Sequence, residues 1–236
     1  MKVIKVDLNK NYDEAIEEAC RVLRLGGVVV YPTDTVYGLG ANACDNLAVD
    51  QVFKIKNRSY TKPLPILVRN LDWVNELVYV DARNRKIIES IWPGTVTAVL
   101  PKRNYVSSLV TAKGFSVGVR IADFPLVDRL LGKFGYPLTA TSANLSGEEA
   151  TNNIDEVIAR FESAVHRPNL ILDAGILPKS QPSTVLDLTG DQPKILRVGP
   201  SRPDQLLKLL SINVQDEKSH SKREPETEKS YQSDSL

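Results

Sequence analysis

Two hydrophobic periods alternate along this chain. Ala15, Ile16, Ala19, Val22 and Leu23 recur at helical spacing and stop at Gly26-Gly27, which predicts an amphipathic first helix. Val28-Val29-Val30-Tyr31 then reads as a short buried strand, ended by Pro32. A second helix is predicted from Leu47 to Lys56, followed by a strand over Pro65–Val68 and helices around 71–78 and 82–91. Further strands are expected at Val96–Leu100 and Ser116–Ile121, and a helix at Leu126–Lys133. Beyond the polar loop Thr139–Gly147, Thr151 is the expected cap of a helix over 154–162. Strands at Leu170–Leu172, Thr184–Leu188 and Ile195–Val198 and a helix at Pro203–Leu210 complete the pattern. Such alternation predicts an α/β fold, with a twisted, mostly parallel or mixed sheet flanked by helices. The late strands follow one another without helices, so part of the sheet should be antiparallel.

The pattern stops near Ile212. Residues 216–236 carry six acids, four bases and almost nothing apolar, the composition of a disordered tail. The expected division is therefore a folded domain over residues 1–211 and a charged tail over 212–236. The whole chain has 30 Lys and Arg against 29 Asp and Glu, a formal charge of +1. With about −2 in the tail, the folded part stands near +3. That is too little for a broad polyanion-binding face, though a focused basic pocket remains compatible with it. Two cysteines and two histidines build neither a disulfide framework nor a zinc cluster. No apolar run is long enough for a membrane helix, and the start lacks a signal-peptide core, so a soluble, cytoplasmic protein with no membrane partner is expected.

Standard nucleotide loops of the G-x-x-x-x-G-K-[ST] and G-x-G-x-x-G types are absent. His166 reads as a surface-loop residue and Cys20 as a core thiol; packing is also the favoured role for Cys44. Hydroxyl-rich loops after strands carry the chemistry instead. Pro32-Thr33-Asp34-Thr35 offers two hydroxyls and a carboxylate at a strand's C-terminal edge, where open α/β sheets bind ligands; an Asx-type turn would account for it equally well. Lys54-Ile55-Lys56-Asn57-Arg58 continues to Lys62-Pro63, past the helix, where macrodipole compensation no longer explains the charge. A phosphate or carboxylate clamp is the sharper reading, with Arg58 able to grip bidentately. Strand alternation places Ser116, Gly118 and Arg120 on one face. Thr139–Gly147, with Ser142 and Asn144, has the makings of an anion cradle, and Ser183 and Arg197 repeat the theme at later strand ends.

These pieces, in this order, resemble the YrdC-type threonylcarbamoyl-AMP synthases. The resemblance rests on Pro32–Leu39, Lys56-Asn57-Arg58, Lys62-Pro63-Leu64, Trp92–Thr97, Val119-Arg120, Ser142–Gly147, Ser183-Thr184-Val185 and Leu196-Arg197. It spans about residues 10–200. It implies an α/β sheet with a deep, positively charged cavity. It also implies formation of threonylcarbamoyl-AMP and pyrophosphate from L-threonine, bicarbonate and ATP, with Mg²⁺ held mainly through the ATP phosphates. The product serves modification of adenosine 37 in tRNA, which implies tRNA and downstream threonylcarbamoyl-transfer proteins as further partners. By the same resemblance Thr35, Arg120 and Ser183 would hold threonine. Lys56, Arg58, Lys62, Ser116, Ser142, Asn144 and Arg197 would surround ATP and bicarbonate, with Lys56 and Arg58 as the catalytic cations. Ser59 and Thr141 stand where the family often has proline, which implies altered loop stiffness. After Leu210 only the charged tail follows, so a short form without the extra C-terminal domain of longer members is expected. Two alternatives stay open: a non-catalytic RNA-binding module using the same cavity, and carbamoyl transfer to another acceptor.

Overall fold

The computed structural model describes residues Met1–Ser201. Six helices among them are α1 (Asp13–Arg24), α2 (Asn46–Lys56), α3 (Leu71–Leu77), α4 (Ala82–Ile91), α5 (Pro125–Phe134) and α6 (Ile154–Glu162). The strands are β1 (Lys2–Lys5), β2 (Val29–Tyr31), β3 (Gly38–Gly40), β4 (Ile66–Leu67), β5 (Val96–Pro101) and β6 (Ser116–Arg120). β7 (Leu138–Thr139), β8 (Thr141–Ser142), β9 (Leu170–Asp173), β10 (Thr184–Asp187) and β11 (Lys194–Arg197) complete them. Every predicted helix and strand within the described residues is present. The predicted helix at 203–210, His220 and the 211/212 boundary lie outside them.

The strands form two mixed sheets where the sequence suggested one. The first has the order β1-β9-β2-β3-β8, and the second β11-β10-β5-β6-β4-β7. β9 pairs in parallel with β1 and β2, whereas β3 runs antiparallel to β2 and β8. In the second sheet β10 and β11 are antiparallel, as expected from their short connection, yet β10 pairs in parallel with β5. β1, β3, β7 and β8 were not predicted. β1 has only four residues, three of them exposed, and the others have two or three residues with little alternation to read.

Local chemistry fixes the elements that frame the cavity. Asp45 caps α2 by accepting from the Leu47 and Ala48 amides at 2.8 and 3.3 Å. The helix ends at Asn57, in the left-handed region at φ 49°, and the Arg58 amide then donates to Phe53 O at 2.9 Å. That turn delivers Lys56 and Arg58 to one side. β3 lies so close over the Tyr31 ring that a Cβ at Gly40 would come within 2.6 Å of it and one at Gly38 within 2.8 Å. Glycine is required there by contact. Ala140 separates β7 from β8, so the chain leaves the second sheet and enters the first within one residue.

α1 buries Ala15, Ile16, Ala19, Cys20, Val22 and Leu23. They join Leu126, Val127, Leu130 and Leu131 of α5, with β2 and β9, in one apolar cluster. Cys20 is thus a core thiol and His166 an exposed loop residue. Cys44 is exposed, against the packing role expected of it. The cap of α6 is Asn153, which accepts from the Asp155 amide at 3.0 Å; Thr151 instead accepts from the Asn153 amide one turn earlier.

Candidate functional site

A cavity of about 440 Å³ is lined by residues of both sheets. β2, β3 and β8 supply Tyr31, Gly38 and Ser142; β4, β6 and β11 supply Leu67, Arg120 and Arg197. Its charged lining is Lys56, Arg58, Lys62, Arg120 and Arg197, with neither Asp nor Glu among the lining residues. Nine of the ten site residues chosen from the sequence meet there. Ser116 does not, because it lies four residue steps along β6 from Arg120, roughly 13 Å at the usual rise.

One end is built around Lys56, which is only 2% exposed. Its ammonium donates to Ser142 O at 2.6 Å, Asn144 O at 2.7 Å and Asn144 Oδ1 at 3.0 Å. Those three bonds use all its donors. The Lys56 carbonyl in turn accepts from the Ser146 amide at 2.8 Å, so one residue fixes the 142–146 loop from two sides. Burial, reinforced by the nearby Arg58 charge, pushes the Lys56 ammonium down to about 7. Asn144 Oδ1 also accepts from Ser142 Oγ at 2.5 Å, while its amide donates to Glu148 O at 2.6 Å. Arg58 donates through Nε to Lys62 O at 3.1 Å and through Nη2 to Pro63 O at 2.9 Å, which leaves three N–H groups to spare. Burial lowers its pKa as well. Ser59 keeps the connection closed without proline: its carbonyl accepts from the Lys62 amide at 3.1 Å, and its hydroxyl meets Thr61 Oγ1 at 2.8 Å.

The other end is built around Arg120, 6% exposed. Nε donates to Gly94 O at 2.8 Å, Nη1 to Thr35 Oγ1 at 3.3 Å, and Nη2 to Asp34 in a close ion pair. Thr33 shapes the preceding turn: its hydroxyl donates to Val36 O at 2.7 Å and lies 3.0 Å from Thr35 Oγ1. Asp34 is therefore an ion-pair partner, and the turn belongs to Thr33. Nearby, Arg197 donates to Ser183 O through Nε at 3.0 Å and Nη2 at 2.7 Å, and Ser183 Oγ meets Thr97 Oγ1 at 2.9 Å. Burial, then the Arg120 charge, lowers the pKa of Arg197. The sequence reading missed the parts played by Asp34, Thr97 and Glu148. Asp34 and Thr97 lie in motifs that carry the resemblance; nothing local marked Glu148.

Two mixed sheets enclosing a cleft lined by five basic side chains define an α/β protein with a basic cavity. The chain belongs to the Sua5/YciO/YrdC family: the family model, described as telomere recombination, matches residues 21–199. A threonylcarbamoyl-AMP synthase of Vibrio vulnificus is 32% identical over 187 residues, 78% of this chain and 98% of that protein. The enzyme of that name from Bacillus subtilis is 34% identical over 196 residues, covering 82% of this chain and 56% of its own length. The crystal structure of Pyrococcus abyssi Sua5 complexed with L-threonine superposes with a TM-score of 0.83 at 31% identity, over 89% of this chain. This chain spans 61% of that structure's length. No described helix is long and apolar enough to cross a membrane.

Proposed function

We propose that the protein is an L-threonylcarbamoyladenylate synthase, working in the cytoplasm. It would convert L-threonine, bicarbonate and ATP into threonylcarbamoyl-AMP, pyrophosphate and water. The product would feed threonylcarbamoyl-transfer proteins that modify adenosine 37 of tRNA. The observation that carries this reading is one cavity with five basic side chains, no lining acid and two chemically different ends.

The threonine amine, once neutral, attacks the carbon of bicarbonate, and water leaves to give a carbamate. A carbamate oxygen then attacks the α-phosphorus, and the bond to the pyrophosphate oxygen breaks. All partners are anionic, so positioning and charge neutralisation supply the catalysis. Thr35, Arg120 and Ser183 take the amino acid. Arg58, with donors to spare, is the group suited to reach the phosphates directly, beside Lys62 and Arg197. Lys56 acts through the Ser142–Ser146 loop it holds and through its charge. Among the described residues no three His, Cys, Asp or Glu side chains gather around a common point. Mg²⁺ would come with the nucleotide, where it would lower the charge of the phosphates.

Incubation with the three substrates should yield threonylcarbamoyl-AMP by mass spectrometry, with pyrophosphate release that requires threonine and bicarbonate. Equal release without threonine would overturn the assignment. An RNA-binding module would instead show salt-sensitive RNA binding and no product.

A further inference from the structure

The loop that holds Lys56 is itself held from behind. Neither Glu148 nor Arg160 lines the cavity, yet together they fix the segment that does. Arg160 of α6 uses two different nitrogens: Nη1 donates to Glu149 O at 2.9 Å, and Nε pairs with Glu148 Oε2 at 3.4 Å. The same Glu148 oxygen accepts from the Leu145 amide at 3.3 Å, and the Glu148 amide donates to Leu145 O at 3.2 Å. The Glu148 carbonyl accepts from the Asn144 side-chain amide at 2.6 Å, which leaves Asn144 Oδ1 turned to Lys56 and Ser142. Gly147, at φ 97°, lets the chain reverse between these contacts. A run of contacts therefore leads from α6 through Glu148 and Asn144 to the Lys56 ammonium. A lysine ammonium in place of Arg160 could not reproduce the planar fork that grips two successive residues.

We propose that Arg160 and Glu148 are positioning residues for the Lys56 end of the cavity: they latch the Ser142–Gly147 loop onto α6 in the form that receives the nucleotide. The inference rests on ATP being the ligand of that end, as assigned above. With the latch closed, the loop needs little ordering when the triphosphate arrives. With it open, the cost of ordering the loop is subtracted from affinity. The latch also sets one charge of each sign near Lys56. Burial, then the Arg58 charge, lowers the Lys56 pKa; Glu148 from the loop opposes this, and Arg160 from α6 adds to it.

The test is calorimetric binding of ATP to the full chain on both sides of pH 7, with hydrogen exchange followed over residues 142–149. Arg160→Met should weaken ATP binding about tenfold and speed exchange of those amides by a similar factor, while α5 exchanges as before. In turnover the KM for ATP should rise about tenfold and that for threonine less than about twofold. Arg160→Lys should recover part of the affinity. The pH midpoint of ATP binding should move up by about 0.3 in Arg160→Met and down by about as much in Glu148→Gln, because the two remove opposite charges. Loosening of the loop alone would move both midpoints the same way. Unchanged ATP affinity and loop exchange in folded Arg160→Met, or midpoints that move together, overturn the proposal. Should that variant fail to fold, Glu148→Gln decides: a midpoint that stays or rises does the same. A wild type that binds ATP without forming product overturns the synthase assignment and leaves the latch to be judged by these readouts. One that binds no ATP overturns both.

Discussion

The two ends of the cavity each bury one cation, and they satisfy it differently. Lys56 is held by three neutral oxygens of the Ser142–Asn144 segment, with no carboxylate in contact. Arg120 is held by one carbonyl, one hydroxyl and the Asp34 carboxylate. A buried cation with only neutral partners leaves its surroundings positive, and desolvation opposes its charge until an anion arrives. A buried cation with its own carboxylate is balanced from the start. The two ends of one cleft therefore differ in how their buried cation is balanced: by neutral oxygens around Lys56, by a carboxylate at Arg120.

Replacing Lys56 tests the first half of this contrast most severely. Lys56→Met removes the charge and the three anchors of the loop, and should lower the rate of pyrophosphate release by about a hundredfold or more. Circular dichroism should show the sheets retained; a loss of only a few-fold would place the working cation elsewhere.

The next effect is on pH dependence. Lys56 has its ordinary value near 10.5 in the unfolded chain and about 7 in the fold. A triphosphate favours the protonated form, so ATP should bind best below pH 7. Its affinity should fall by up to about tenfold per unit as the pH rises through that value. The slope should vanish in Lys56→Met. For folding alone the sign is opposite. Between pH 7 and 10.5 the unfolded chain holds a proton that the fold releases, so this group makes stability rise with pH. Isothermal titration and denaturant unfolding across that range check both signs.

A smaller effect belongs to the amino-acid end. A Cβ at Gly199 would overlap Pro182 O and Thr184 N, and the Gly199 amide donates to Thr184 Oγ1 at 2.9 Å. Gly199→Ala should push the segment after β11 away from Ser183 and raise the KM for threonine roughly fivefold, about 1 kcal/mol of binding. The KM for ATP should change less, because Arg197 alone of the phosphate-side cations adjoins this segment; equal change in both would break the division of the cleft into two ends.

Much of this site was legible in the sequence because its charged and hydroxyl residues sit at strand and helix ends. Lys56 and Arg58 close a helix whose apolar spacing is plain, and Arg120 ends a strand of alternating pattern. The same alternation misled at Ser116: it correctly assigns a face of β6 and says nothing about distance along it. β7 and β8 escaped because two-residue strands exist only through their partners, Leu67 and Ile66 for one, Gly38 and Leu39 for the other. The division into two sheets escaped for a related reason. Pairing of β10 with β5 joins residues 88 positions apart, such as Thr184 and Val96, and hydrophobic period reports burial without naming the neighbour.

The sequence by itself determined the helices and longer strands among the described residues, the apolar face of α1, the end of α2 at Lys56 and which residue types stand at the ends of strands. These follow from local periodicity, capping and turn chemistry, which need only neighbours along the chain. The tertiary structure decided which cation has which partner. Asp34 reaches Arg120 across 86 positions, and Lys56 reaches Asn144 across 88. The charge state of each end of the cavity depends on those contacts. Solvation and ion pairing are set by what lies within a few ångströms in space, and no spacing in the sequence encodes that.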